Sequence, residues 1–476
     1  MSNNLLVMKF GGTSMGSAER IRQAAALCAE QFRTRPVAVV VSAMSKVTDL
    51  LLDTLRRAEA GDSAGVEERL EQLAVRHATT CDELLSGELR STTLNRLEEI
   101  QGEFARIARG MLMLGERPPR SVDEAIAIGE RLSSELISAW LRSQGVAAFA
   151  VNAREVIVTD SVFGNASPLI EQTREKALAL LEPALKAGRM PIMTGFNGAT
   201  LDGRATTLGR GGSDFSASIL AAVLDAAELW IWTDVDGIMT ADPRLVPHAR
   251  VLSEITYREA AELAYNGAKV LHPRTLAPLM EKCIPVWSKN SFKPEVPGTK
   301  IVLDPSTPRN GPCAVTSMGQ VALVSLEPAS AMLNGAKVMS RALDAMATAN
   351  AELLAMTSSS YRQNFCFLIR QVELPAVIEQ LEQAFALELA HGYLNPIDVD
   401  LDVGLLAIVG EGMRGAAGLA GRIFTAISRE RVNIIAIAQG SSELTIAIVV
   451  RRAGLEKAVR AVHEECGLAR LVPDIV

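Results

Sequence analysis

Residues 5–17 read Leu5-Leu6-Val7-Met8-Lys9-Phe10-Gly11-Gly12-Thr13-Ser14-Met15-Gly16-Ser17. Residues 5–10 predict a short buried strand, and a helical pattern begins at Ala18. A lysine at a strand end, followed by two glycines and hydroxyl groups before a helix, favours anion binding. Backbone N–H groups can approach a phosphate closely there, the helix dipole attracts it, and Lys9 adds a full positive charge. The stretch therefore predicts a phosphate site at a strand-to-helix junction.

The composition is that of a soluble globular protein. Of the 476 residues, 48% are hydrophobic, 22% are charged and 4% are aromatic, with a net charge of −7. This length predicts about two to four domains. Interspersed charges argue against nucleic acid as a partner, and no apolar run is long enough to cross a membrane. Scattered cysteines and the lack of a signal core predict a cytoplasmic protein with reduced thiols.

Strand and helix patterns alternate beyond the opening stretch. Residues 37–41 form a continuous apolar run, which is typical of a strand buried on both faces of a parallel sheet. Residues 48–115 lack strand patterns and predict a helical insertion. Prolines and glycines crowd residues 294–312, where we place a domain boundary. The prediction is an α/β catalytic domain over residues 1–305.

A smaller pattern occurs twice after this boundary. Each copy has the strand and helix order of a βαββαβ unit, which predicts two ferredoxin-like units over residues 313–400 and 401–476. The half-matching runs that start at Leu353 and Ile435 strengthen the repeat. An exchange of strands between the two units is left open.

Two motif matches near the N-terminus point to other protein classes. Gly12, Ser14 and Gly16 fit the Gly-x-Ser-x-Gly elbow of hydrolases, but too little chain precedes them to supply an oxyanion loop. The same glycines nearly fit a Walker P-loop, yet Ser17 and Ala18 replace its Lys-Ser/Thr pair. Neither class is favoured, although phosphate binding remains attractive.

A third match lies near the C-terminus. Gly410, Gly412 and Gly415 satisfy Gly-x-Gly-x-x-Gly between a strand and a helix. A six-stranded dinucleotide fold does not fit in the short segment that follows. We interpret the motif as a tight turn that packs a helix on a sheet, and leave a small-molecule effector open.

Four segments together resemble the aspartate kinases. They are Lys9-Phe10-Gly11-Gly12-Thr13-Ser14, Thr207-Leu208-Gly209-Arg210-Gly211-Gly212-Ser213-Asp214, Trp232-Thr233-Asp234-Val235-Asp236-Gly237 and Gly267-Ala268-Lys269-Val270-Leu271-His272-Pro273. They occur in the order of that family. The run Ile435–Glu443 is most similar to the kinase arm of aspartokinase–homoserine dehydrogenases, and no dehydrogenase is expected with it.

The resemblance implies a three-layer amino-acid-kinase sandwich with a largely parallel central sheet, followed by two ACT domains. It implies ATP-dependent phosphorylation of L-aspartate to 4-phospho-L-aspartate, the first step toward lysine, threonine and methionine, with Mg²⁺ bridging the ATP oxygens. It also implies feedback by lysine and/or threonine, and a homodimer or homotetramer formed through the ACT domains.

The resemblance also assigns roles to individual residues. Lys9 would stabilise the moving phosphoryl group, Asp214 would orient Lys9 or the substrate loop, and Arg210 would grip the α-carboxylate. The expected substrate-binding residues are Ser42, Thr48, Glu130, Phe196, Arg210, Gly211 and Ser213. The expected ATP-binding residues are Lys9, Gly11, Gly12, Ser14, Thr233, Asp234, Met239, Arg244, Lys269 and Val270. The expected allosteric residues are Asn433, Ile434, Gln439, Ser441 and Ser442.

Two alternatives stay open at this stage. In the first, the chain phosphorylates a different acceptor, such as glutamate, a carbamate or a nucleoside monophosphate. In the second, the chain is an inactive amino-acid sensor. Arg210 and Glu130 favour an α-amino acid, because its carboxylate and ammonium groups need opposite charges. The intact set of charged residues argues against an inactive sensor.

Overall fold

A computed structural model describes residues 4–268, 270–306, 309–329, 333–359 and 364–469. The chain forms two compact units. The first comprises the chain up to Ile238, Ser253–Tyr257 and Leu271–Asp304. The second comprises Met239–Leu252, Arg258–Val270 and the chain from Pro305 onward.

The first unit is built on a mainly parallel sheet. Its strands are β1 (Leu6–Phe10), β2 (Val37–Val41), β3 (Ala148–Val151), β4 (Val158–Thr159), β5 (Met190–Thr194), β6 (Asn197–Thr200), β7 (Ala205–Thr207), β8 (Glu228–Thr233), β9 (Glu254–Thr256), β10 (Val286–Asn290) and β11 (Thr299–Val302). Eight of them form one sheet in the order β3-β5-β2-β1-β8-β10-β11-β9, and β4, β6 and β7 form a small second sheet. Every residue of β1 and β2 is buried, as expected for central strands covered on both faces.

Helices surround this sheet and also form the predicted insertion. The helices of the first unit are α1 (Ala18–Phe32), α2 (Val47–Glu59), α3 (Ser63–Leu84), α4 (Gly87–Leu114), α5 (Pro119–Ile126), α6 (Ile128–Ser143), α7 (Ile170–Lys186), α8 (Gly212–Val223) and α10 (Pro273–Glu281), whereas α9 (Tyr257–Tyr265) falls almost entirely in the second unit. Leu55, Leu73 and Phe104 from α2, α3 and α4 join one apolar core with Met8 of β1. The insertion therefore stabilises the sheet that carries the phosphate stretch.

The second unit contains two four-stranded sheets. Its strands are β12 (Ala314–Met318), β13 (Val321–Leu326), β14 (Ala355–Ser358), β15 (Phe365–Arg370), β16 (Asp398–Asp400), β17 (Val403–Val409), β18 (Ile434–Gln439) and β19 (Thr445–Arg451). Its remaining helices are α11 (Gly335–Thr348), α12 (Leu374–Ala384), α13 (Ala386–Ala390), α14 (Leu419–Arg429) and α15 (Leu455–Glu465). The sheet orders are β12-β17-β19-β18 and β14-β15-β13-β16.

One strand of the second unit crosses between the two repeats that the sequence predicts. β12 lies in the segment of the first repeat, yet it pairs antiparallel with β17 of the second. Apolar side chains of both sheets, including Leu323 and Leu405, share one buried cluster. The two repeats therefore share both a strand and a core.

The division of the chain differs from the predicted boundary in one respect. Residues 239–252 and 258–270 precede residue 305 but belong to the second unit. Thr240 accepts a backbone hydrogen bond from Val315, and its hydroxyl lies 3.0 Å from His463 Nε2. Thr445 donates to Glu262 at 2.7 Å. These long-range hydrogen bonds explain the difference, because no local pattern in the sequence announces them.

No helix in the described ranges is long and apolar enough to cross a membrane.

Helix α3 carries a buried histidine in the first unit. His77 is fully buried, and its Nδ1–H donates to the Leu73 carbonyl at 2.8 Å. Burial lowers the pKa of His77 from 6.5 to about 4, because the charged ring would lose its hydration.

We expect this histidine to make the first unit acid-sensitive. The unfolded chain takes up a proton near pH 6.5, whereas the folded chain resists protonation until about pH 4, so stability falls as the pH drops through this window. At pH 5 the loss is about 2 kcal/mol. Between pH 7.5 and pH 5, the melting temperature of the His77→Gln variant should fall by less than that of the parent chain. His391→Gln, at an exposed site, is the matched control, and equal acid sensitivity in all three chains would contradict the prediction.

Candidate active site

The carboxyl ends of five parallel strands meet at one edge of the large sheet. β1, β2, β5, β8 and β10 all run in the same direction. From β1 the chain moves to β2 on one side, and β8 lies on the other side of β1. Loops that follow strands at such a switch point open a crevice, which is where α/β proteins bind ligands.

A cavity of about 680 Å³ lies at this edge and gathers all seven predicted substrate residues. Its lining includes Lys9, Gly12, Ser42, Thr48, Glu130, Phe196, Arg210, Gly211, Ser213 and Asp214. These residues come from five different stretches of the chain. The fold therefore brings together residues that the sequence separates by up to about two hundred positions.

Lys9 and Asp214 form an ion pair at the floor of the site. Lys9 Nζ lies 2.5 Å from Asp214 Oδ1, and Lys9 is 8% exposed. β1 places the lysine at its carboxyl end, and the first turn of α8 places the aspartate. Gly211 precedes α8 in a left-handed conformation at φ 71°, which a side chain would disfavour. The Lys9 ammonium group therefore lies in the cavity, close to the glycine loop that follows β1.

Glu130 is the most unusual carboxyl group in the cavity. It is 3% exposed, Oε1 accepts a hydrogen bond from the Ala43 N–H at 3.1 Å, and Oε2 has no partner among the described residues. Burial raises the pKa of Glu130 to about 8, and the nearby Lys9 charge opposes the rise only in part. A buried carboxyl group with one unused oxygen is suited to binding a cation.

Glycines on both sides of Ala43 allow this arrangement. A Cβ at Gly12 would lie 3.1 Å from the Ala43 carbonyl oxygen, and a Cβ at Gly129 would lie 2.8 Å from the Ala43 side chain. The glycine loop and α6 can both approach residue 43 only because these side chains are missing. Gly129 therefore helps Glu130 to reach the Ala43 N–H.

Two cavity-lining residues hold strained backbone conformations. Phe196 has φ 72° and Lys46 has φ 64°, values that residues other than glycine rarely adopt. Phe196 is held by its neighbours, because its N–H donates to Ser216 at 2.9 Å and its carbonyl accepts from the Leu208 N–H at 2.9 Å. Strain of this kind persists only where the surroundings enforce it, and it concentrates at functional sites.

Asp123 is a cavity-lining residue that the sequence analysis missed. It is 1% exposed, and its carboxylate accepts hydrogen bonds from Gly164 N, Thr207 N and Thr207 Oγ1 at 2.8–2.9 Å. Burial raises its pKa, although these bonds favour the charged form. The available signal was a carboxylate at an apolar helix position, between Val122 and Ile126.

Ser291 is a second residue that the sequence analysis missed. Its hydroxyl lies 2.8 Å from Ser14 Oγ and donates to the Thr233 carbonyl at 3.1 Å. Since the Ser291 proton is used on Thr233, the Ser14 hydroxyl must donate to Ser291. Ser291 thus ties the glycine loop to the end of β8. It follows β10 directly, so a hydroxyl residue just after a strand was the available signal.

The remaining predicted nucleotide residues fall in different places. Thr233 and Asp234 lie at the end of β8 in the first unit, with the Thr233 hydroxyl 3.2 Å from Asp234 Oδ1. Gly11 donates its N–H to the Trp232 carbonyl at 3.3 Å beside them. Met239, Arg244 and Val270 belong to the second unit, where Arg244 pairs with Asp242 at 2.5 Å. Lys269 lies outside the described residues.

The predicted allosteric residues lie around β18 in the second unit. Gln439 lines two cavities there, of about 300 and 470 Å³. Ile434 lies at the start of β18, Asn433 precedes it, and Ser441 and Ser442 follow the strand. Of these residues, only Gln439 lines either cavity.

Comparisons with known proteins identify the families that two regions of the chain match. Residues 4–290 match the model of the amino acid kinase family, and residues 406–466 match that of the ACT domain. Bifunctional aspartokinase/homoserine dehydrogenase 1 of Arabidopsis thaliana is 35% identical over 98% of this chain and 51% of its own length. The chain thus spans about half the length of the bifunctional relatives that it matches.

A relative and a solved structure match over more of their own length. Aspartokinase 1 of Arabidopsis thaliana is 33% identical over 96% of this chain and 79% of its own length. The crystal structure of E. coli aspartokinase III in complex with aspartate and ADP, in the R-state, is 28% identical. It superimposes with a TM-score of 0.82 and covers 97% of this chain and 99% of its own.

The link between Ser14 and Ser291 can be measured as a coupling. Ser291→Ala should lower the free energy of unfolding by about 1 kcal/mol, because it leaves the buried Ser14 hydroxyl without its acceptor. The Ser14→Ala, Ser291→Ala double variant should lose less than the sum of the single losses, since no orphaned hydroxyl remains. Denaturant unfolding gives these values, and Ser291→Thr keeps the hydroxyl as a control. Strict additivity of the two substitutions would refute the link.

Proposed function

The chain belongs to the aspartokinase family, and from that premise we propose that it transfers the γ-phosphoryl group of ATP to the side-chain carboxylate of L-aspartate. The products are ADP and 4-phospho-L-aspartate. The observation that carries the proposal is that one cavity holds an ammonium group, a buried carboxyl group with one oxygen unpartnered among the described residues, and an exposed guanidinium group, those of Lys9, Glu130 and Arg210.

The charges of the cavity fit the acceptor. Glu130 Oε2 binds the α-ammonium group, and Arg210 binds the α-carboxylate as a planar fork. These two contacts leave the side-chain carboxylate to face Lys9. Ser42, Thr48, Phe196, Gly211 and Ser213 complete the substrate pocket, and all of them line the same cavity. The same set disfavours carbamates and nucleoside monophosphates as acceptors, because neither carries an α-ammonium group.

The phosphoryl transfer needs positioning and charge neutralisation more than covalent chemistry. A carboxylate oxygen of aspartate attacks the γ-phosphorus, the bond to the β-γ bridging oxygen breaks, and that oxygen keeps the electron pair as ADP leaves. Lys9 neutralises charge on the moving group, and Asp214 keeps the Lys9 ammonium in place at 2.5 Å. The phosphates of ATP contact Gly11, Gly12 and Ser14. Thr233 and Asp234 lie next to these residues at the end of β8.

Magnesium fits this site as a companion of the nucleotide. The described residues contain no group of three or more His, Cys, Asp or Glu side chains that would form a metal cage. Asp214 is committed to Lys9, and Asp234 is exposed. Mg²⁺ held mainly by phosphate oxygens and water would need no such cage, and it would supply neutralisation of the phosphate charge.

The second unit supplies regulation in this proposal. Met239, Arg244, Lys269 and Val270 remain proposed nucleotide contacts, and Gln439 with its neighbours remains a proposed effector contact. E. coli aspartokinase III is known in complex with lysine and aspartate in a T-state, at 29% identity and a TM-score of 0.80. Feedback by lysine and/or threonine, a homodimer or homotetramer through the ACT domains, and a cytoplasmic location stay predictions.

Loss of the Lys9 ammonium group should remove turnover. Lys9→Ala should lower kcat by about a hundredfold or more, since one preorganised charge at a transition state contributes on that scale. The assay traps the acyl phosphate with hydroxylamine in the presence of ATP and aspartate. Lys282→Ala is the matched control, because Lys282 pairs with Asp225 on the surface. Near-normal turnover by a folded Lys9→Ala chain would sink the assignment, and a substrate panel with glutamate tests the acceptor.

Aspartate binding should tighten as the pH rises. Glu130 has a pKa of about 8 in the free chain, so below pH 8 it must lose a proton before it can bind the ammonium group. The dissociation constant for aspartate should fall roughly eightfold between pH 7.0 and 8.5. Calorimetry measures this directly. Glu130→Gln should bind weakly at a constant level across this range, whereas Glu135→Gln, on the same helix, should keep the pH dependence. A parent chain with no pH dependence would exclude Glu130 as the ammonium site.

A further inference from the structure

The loop that carries Arg210, residues 209–211, is called the upper loop here. It rests on a second loop, Gly164–Ala166, called the lower loop. Gly209 has φ 76°, and a Cβ at this position would lie 2.6 Å from Asn165 Oδ1 and 3.2 Å from the Gly164 carbonyl oxygen. The two loops therefore touch through the bare backbone of Gly209. A displacement of the lower loop has to move the upper one.

Asp123 holds the lower loop from the side of the cavity. Its carboxylate binds Gly164 N at 2.8 Å, and binds Thr207 through both its N–H and its hydroxyl. The Ala166 N–H in turn donates to the Thr207 carbonyl at 2.8 Å. One buried carboxylate thus joins the lower loop to β7, from which the chain continues to Gly209.

Arg274 holds the lower loop from the opposite side. Its guanidinium group donates to Asn165 Oδ1 and, at 3.2 Å, to the Ala166 carbonyl. The guanidinium carbon also lies 5.0 Å from the centre of the Phe215 ring, on the helix that carries Asp214. Arg274 therefore holds the Asn165 side-chain oxygen at the place where a Cβ on Gly209 would meet it. Nothing in the mechanism above uses Arg274.

Arg210 has little else to position it. It is exposed, and its guanidinium group makes no hydrogen bond or ion pair within the part of the chain that the structure describes. Glycines with positive φ lie on both sides of it, at 76° for Gly209 and 71° for Gly211. The direction of Arg210 therefore depends on where the backbone of residues 209–211 rests.

We propose that Arg274 is a positioning residue for acceptor recognition: through Asn165 it sets the loop that aims Arg210 at the acceptor's α-carboxylate. This inference rests on the proposed function. It assigns to Arg274 a specific consequence, since loss of its side chain weakens binding of the α-carboxylate and leaves the ATP and ammonium contacts in place. A purely structural role would weaken all contacts together.

The experiment compares aspartate with its α-amide, in which the α-carboxylate is a neutral carboxamide. In Arg274→Ala we expect KM for aspartate to rise about tenfold, the scale of a lost charge-assisted hydrogen bond. KM for ATP and the inhibition constant of the α-amide against aspartate should each stay within about twofold. The proposal is overturned if all three constants shift together, or if none of them shifts.

Further variants separate positioning from misfolding. Asn165→Ala should raise KM for aspartate to a similar extent. The double variant Asn165→Ala, Arg274→Ala should have a KM for aspartate no higher than that of either single variant, since both substitutions act through one contact. Arg274→Lys keeps one donor and should restore part of the affinity. Arg174→Ala is the matched control, because Arg174 lies on α7 and binds the Val223 carbonyl at the end of α8 and the Asp225 carboxylate. Additive losses in the double variant would refute the shared route.

The two proposals fail in different ways. A parent chain that forms no acyl phosphate from aspartate refutes the proposed function, whatever Arg274 does. In that event calorimetry with aspartate and its α-amide makes the same comparison without turnover. A parent chain that is active while Arg274→Ala shows unchanged KM for aspartate refutes only the role of Arg274.

Discussion

The ion pair between Lys9 and Asp214 is the contact on which the site depends. A lysine that is 8% exposed at the end of a central strand needs a counter-charge close by, because burial of an unpaired charge is costly. Asp214 provides it only if α8 begins next to β1. The pair therefore fixes the glycine loop after β1 and the substrate loop before α8 in one place. The two loops therefore enclose a cavity at the edge of the parallel sheet, and the Lys9 ammonium group lies inside it.

Two buried carboxyl groups line that cavity, and their surroundings separate their roles. Asp123 receives three hydrogen bonds from Gly164 and Thr207, so its capacity is used in holding backbone. Glu130 receives one bond at Oε1 and keeps Oε2 without a partner among the described residues. Burial raises the pKa of both, and only Glu130 retains an oxygen for a ligand. Residue type alone would not distinguish them.

The fold class and most of the candidate site could be predicted from the sequence. The buried runs at β1 and β2, the helical insertion, and the aspartokinase-like segments all carry local patterns, and the comparisons confirm the fold and the family. Predictions were weaker where pairing is distant. The sequence left an exchange of strands between the repeats open without identifying β12, and it did not reveal that residues 239–252 and 258–270 pack with the second unit.

Local sequence patterns specify a lysine near the end of the first strand with a glycine pair after it, largely apolar central strands, and two related units near the C-terminus. These properties depend on neighbours a few positions apart. Three contacts depend instead on the assembled fold: Ser14 with Ser291, Asp123 with Thr207, and Arg274 with Asn165. Each of these contacts joins residues far apart in the chain. Their geometry exists only after the strands have assembled side by side and brought their carboxyl ends to one edge.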